Sequence, residues 1–253
     1  MALIKVGSVN NFSVALKEPI TNETAKIFNS TLNSLTKIQE LDQISNEIPV
    51  DAFELVESKE ARGISLKSIK LNKNFESFLG NIFDKKNEIY FLAWAYDLSG
   101  QPISFYPGEG FESGDVIIPI RAGDIREFLG EGINLFAKRR IKGGIALRIQ
   151  IWESDEKNRT IGETLKQTSS AIQDSKLNNL LSAVSMVTGA PGVTIALVKD
   201  AALELAKVIG IILAANGDDY VDLFEGYYVA DNTWKSGEEK HTGTGAEITL
   251  MKY

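Results

Sequence analysis

Apolar and polar residues alternate without a miss through GIALRIQIW, residues 144–152. Ile145, Leu147, Ile149 and Ile151 fall on one side; Ala146, Arg148, Gln150 and Trp152 fall on the other. A period of two over this length predicts a strand with one packed face and one wet face. The same reading gives a strand at GISLKSIKL from Gly63, and an aromatic-rich one from Ile89 to Tyr96 ended by Asp97 and a Ser-Gly turn. QPISFYP returns as a hairpin partner. VIIPI is a short strand whose Pro119 asks for an edge position, and GDIREFLGEG suggests a turn or two of helix. DYVDLFEGYYVA and GAEITLMKY read as closing strands flanking a polar loop.

Elsewhere the spacing changes to steps of three and four. Ala25, Phe28, Leu32, Leu35, Ile38 and Leu41 form one helical stripe between Thr24 and Ile44. A second block carries Leu165, Ile172, Leu177, Leu180, Leu181 and Val184, and the turn at 189–192 leads into a third, very apolar helix ending near Gly217. The short connection predicts an antiparallel helical hairpin. The fold expected is therefore α+β: an antiparallel β-sandwich over residues 63–253, with a helical hairpin inserted at about 163–216 between two neighbouring strands. Residues 1–62 form a strand and helix extension.

Composition narrows the chemistry. The 253 residues are 43% hydrophobic, ample for a packed core, and the net charge of −7 argues against nucleic acid as partner. There is no cysteine, so disulfides, thiolate metal sites and cysteine nucleophiles are excluded. The single histidine, His241, rules out a multi-histidine metal site and reads as a solvated loop residue in KSGEEKHTGTG. The N-terminal MALIKVGSVNNFSVAL is a poor leader, so the default compartment is the cytoplasm, with export by a leaderless route left open.

After the alternating strand the chain runs Trp152, Glu153, Asp155, a short polar turn, then Ile161-Gly162. The stretch LRIQIWESDEKNRTIG resembles the point where a C2-domain strand enters a calcium-binding loop. The resemblance covers 147–162 and implies a C2-like sandwich with a cation at Glu153 and Asp155. Asp97, or Glu109, Glu112 and Asp115, would then come from a second loop. The first acid of the pair is Glu, and Arg159 and Thr160 stand where the family places a later aspartate. Calcium takes six to eight oxygens, so the expectation is no cofactor, with calcium as the alternative.

Other stretches compete for a role. FAKRRIKGG offers Lys138, Arg139, Arg140 and Lys142 to anionic lipid or to a partner's acidic patch. The run around Ile209, Ile212 and Leu213 is apolar, yet Lys199, Asp200, Glu204 and Lys207 make a membrane-spanning helix costly. Those three residues are expected to be buried, within the chain or by a second copy in a homo-oligomer. Asp222 and Glu225 could serve as one half of an acid pair for glycoside hydrolysis, with Tyr227, Tyr228 and Trp234 stacking on a sugar. Without a catalytic signature, the reading is a non-enzymatic interaction module that binds a protein partner or membrane surface through its sandwich loops. The alternatives are a membrane-active, toxin-like protein deploying the apolar hairpin and a carboxylate hydrolase.

Overall fold

The computed structural model describes residues 3–7, 57–75, 86–108, 111, 113–154, 159–184, 192–215, 218–230 and 234–253. The helix expected at 24–44 and the candidate residues Asp155, Glu109 and Glu112 lie outside the described residues.

Strands β1 (Leu3–Gly7), β3 (Asn87–Tyr96), β4 (Ser104–Tyr106), β5 (Ile118–Ile120), β8 (Gly144–Glu153) and β9 (Asp219–Val229) form one sheet. Its order is β1-β9-β8-β3-β4, with β5 beside β4 on the same edge of β3. The second sheet runs β10 (Gly237–Thr242), β11 (Ala246–Lys252), β2 (Arg62–Leu71). Both β6 (Ile125–Glu127) and β7 (Ile133–Arg139) line the far side of β2. Every pairing is antiparallel. Among the described residues, the helices are α1 (Ser113–Val116), α2 (Arg159–Gln173), α3 (Lys176–Val184) and α4 (Gly192–Ala214).

Two cores explain the layering. The alternating residues Ile145, Leu147, Ile149 and Ile151 meet Phe91, Phe224, Ile64, Leu66 and Ile248 between the sheets, as the sandwich requires. A second core covers the opposite face of the first sheet. There Tyr90, Leu92, Trp94 and Trp152 pack under Ile161, Leu165, Leu181, Leu205, Ile209 and Leu213 of α2, α3 and α4. The first sheet is thus a middle layer, and its strand IYFLAWA is apolar without alternation because both faces are covered.

The side of β8 expected to be wet is buried as well: Arg148, Gln150 and Trp152 all lie beneath the helical layer. The helical block does sit between neighbouring strands, since β8 and β9 pair through ten residues down to Glu153 opposite Asp219. It is divided further than expected. Ser175 interrupts it by N-capping α3: its hydroxyl accepts from the Asn178 N–H at 3.1 Å while donating to the Ile172 carbonyl at 2.7 Å.

Two local expectations fail. GDIREFLGEG holds strand β6 and a turn, with no helix. Ile125, Phe128 and Leu129 imitate a helical stripe, but Phe128 packs on the core and Leu129 stands 96% exposed. His241 lies in β10, not in a loop, with Ile248 as its cross-strand partner.

Candidate functional site

Strands β2, β8 and β10 begin, and β3, β7, β9 and β11 end, at one pole of the sandwich. Backbone hydrogen bonds tie the loops there into a single surface. The Ser58 N–H donates to the Ile141 carbonyl at 2.9 Å and Leu98 N–H to Lys142 at 3.0 Å. Ala230 N–H donates to Gly143 at 3.1 Å and Tyr253 N–H to Gly63 at 3.0 Å. The Ile141 N–H in turn donates to the Ser58 hydroxyl at 2.9 Å.

Asp97 is the knot of this pole. Its carboxylate is fully buried and accepts from the Ser99 hydroxyl at 2.9 Å, the Arg139 guanidinium at 3.0 Å and the Lys142 N–H at 3.0 Å. The structure so joins three residues that the sequence offered to different roles. Arg139 turns inward, stacking its guanidinium 4.2 Å from the centre of the Phe136 ring. Lys138 and Arg140 remain exposed, and Lys142 is half-buried. Lys59 and Lys235, distant in sequence, add exposed charge to the same pole.

A cavity of about 260 Å³ opens here between Lys59, Glu60, Ala61, Arg62, Trp234, Ser236 and Tyr253. Arg62 is only 7% exposed; its guanidinium lies 4.9 Å from the Trp234 ring centre and reaches the Val229 carbonyl at 3.5 Å. Behind the indole, Tyr228 meets Trp234 edge-on at 6.0 Å, and the Lys252 ammonium sits 5.4 Å from the Tyr228 ring and 2.5 Å from Glu239. Burial, aided by the Glu239 charge, pushes the Tyr228 hydroxyl far above its usual range, so it stays neutral.

Among the described residues, the cation candidates Glu153 and Asp97 do not converge. Glu153 is 1% exposed at the opposite end of the middle sheet, where it pairs with Ile89, while Asp97 follows Tyr96, which pairs with Ala146. At about 3.3 Å per residue the two carboxyls lie roughly 25 Å apart along the sheet. Among the described residues, no three acidic or histidine side chains gather.

Asp222 and Glu225 face opposite ways. Asp222 accepts from the N–H groups of Gly245 at 2.8 Å and Ala246 at 2.9 Å, binding the β10–β11 turn of the other sheet. Glu225 pairs with Arg148 at 2.6 Å beneath α4, with the guanidinium 5.3 Å from the Trp94 ring centre and a cavity of only about 40 Å³ beside it. Desolvation lowers the Arg148 pKa and Glu225 opposes the shift. Two acids on opposite faces of a strand cannot flank one glycosidic bond. Ile209 and Leu213, expected to be buried within the chain or as a partner surface, are fully buried within the chain in the second core because α4 lies flat on the sheet; Ile212 is half-buried. Glu204 and Lys207 face outward, Glu204 pairing with Lys176 at 3.0 Å. Among the described residues, no helix is long and apolar enough to cross a membrane.

Comparison with protein-family models, curated proteins and solved structures finds no match to this chain. The site therefore rests on geometry. Lys59, Arg62 and Tyr253 carried no sequence signal: each sits at a strand end, and only the antiparallel register brings them beside the basic run.

Proposed function

We propose that the protein is a non-enzymatic interaction module that docks an acidic protein surface through its basic loop pole. The observation that carries this is the union of Lys59, Arg140, Lys142 and Lys235, against Glu57 and Glu60, on one hydrogen-bonded pole of a chain whose net charge is −7. Segregated charge steers partners of opposite sign. Trp, Tyr and Arg at the centre of such a patch are the residue types that dominate binding energy at protein interfaces.

Titration of a glutamate-rich peptide, alongside sedimentation with phosphatidylserine vesicles with and without calcium, tests the reading. Peptide binding should weaken with salt and fall at least tenfold in Arg140→Glu/Lys235→Glu, with the melting temperature unchanged. Calcium-independent vesicle binding without peptide affinity would move the target to a membrane. No binding to either overturns the proposal.

A further inference from the structure

We infer that the outer face of α4 pairs with the same face of a second copy of the chain, forming a weak two-fold dimer. This surface is independent of the docking pole. The neighbouring helices show what a solvent-facing side looks like in this layer: α2 turns Glu163, Lys166 and Gln167 outward, and α3 turns Lys176 and Asn179. The second half of α4 departs from that pattern. Val208 is 40% exposed and Ile211 70%, and Ala215 is exposed one turn further on. Steps of three and four place them on one stripe.

The stripe is complementary to itself. A two-fold axis crossing α4 level with Ile209 and Gly210 lays two copies antiparallel and sets Val208 of each against Ile211 of the other. Lys207, which is exposed, then runs alongside Gly210 and Ala214 of the second copy. Gly210 leaves that path open, since a Cβ built there would meet nothing within 4 Å. Ala214 ends the helix, so the Lys207 ammonium meets the negative, carbonyl end of the partner's helix dipole. Glu204 would oppose that end, but Lys176 already pairs with it at 3.0 Å. A parallel arrangement would instead set Lys207 against Lys207. A single helix face falls at the small end of specific interfaces, below about 1,200 Å² in all, so the pairing is weak and reversible.

Sedimentation equilibrium of the full chain reads the mass. The parent should pass from monomer to dimer as its concentration rises to about 500 μM, the range of weak interfaces. Ile211→Glu and Lys207→Glu should each weaken association at least tenfold. Neither should lower the melting temperature of the dilute monomer, because both side chains are exposed. The chain has no cysteine, so single introduced thiols locate the contact. Val208→Cys and Ile211→Cys chains, mixed and air-oxidised, should form their mixed disulfide at least fivefold faster than Leu129→Cys, 96% exposed on the β6–β7 turn, links to itself. A parent that stays monomeric at about 500 μM overturns the inference. So does a dimer unaffected by Ile211→Glu, or cross-linking of Leu129→Cys as fast as the mixed pair. Binding of a monomeric parent to phosphatidylcholine vesicles, lost in Ile211→Glu, gives the face to a lipid surface and likewise overturns it.

Discussion

At the residue scale, Asp222 does what no apolar residue could do at its position. It is buried in β9, yet its oxygens hold three N–H groups, those of Gly245, Ala246 and, at 3.0 Å, Leu223. The turn reaches it only because Gly243 has no side chain: a Cβ there would stand 2.1 Å from the Asp222 carboxylate. Asp222→Ala leaves buried donors unsatisfied and should cost about 2–4 kcal/mol by chemical denaturation, since each orphaned group costs about 1–3 kcal/mol. Gly243→Ala should also destabilise, by forcing the turn off the carboxylate. His241 gives a pH signature. Burial lowers its pKa below the ordinary value of 6.5, with Lys252 pushing the same way and Glu239 opposing. The unfolded chain therefore binds the proton more readily. The stability this site contributes is complete above about pH 6.5 and is lost as pH falls through the folded pKa. Unfolding free energies measured across that window should fall more steeply in the parent chain than in His241→Gln.

At the element scale, β8 shows how far a pattern reaches. Its inner face was legible because Ile145, Leu147, Ile149 and Ile151 must leave water together. Its outer face was not, because a buried Arg148 and Gln150 are indistinguishable in sequence from exposed ones. Burial there depends on Glu225 and on α4, both more than forty residues downstream. The two faces should respond differently. Ile149→Ala should cost about 2–5 kcal/mol. Gln150→Leu should be neutral or stabilising in the same denaturation experiment, since the Gln150 side-chain oxygen has no partner among the described residues and an apolar replacement removes that penalty. The candidate site was half legible for a related reason. The run from Lys138 to Lys142 advertises charge, but the inward turn of Arg139 onto Asp97 and the arrival of Lys59 and Lys235 are products of strand register.

At the scale of the whole molecule, two antiparallel sheets and a helical layer make three tiers around two cores, with a hydrogen-bonded set of loops at one pole. The helices leave the middle sheet at Glu153 and return at Asp219, and those residues face each other in the β8–β9 ladder. The helical layer is thus a detour between two points already in contact. Closing so long a detour with a flexible chain costs entropy that a tight turn would spare, roughly 2–3 kcal/mol for some four doublings of loop length. Pairing of β8 with β9 should accordingly come late in folding, after β3 has found β8. A chain in which a four-residue turn replaces residues 154–218 should keep the β8–β9 register and pair those strands faster in stopped-flow refolding. It would also bare Tyr90, Leu92, Trp94 and Trp152, so it should self-associate on a sizing column. Mechanically, the detour is clamped at its base: residues can be added or removed within it without shifting the alignment of the two strands that launch and receive it.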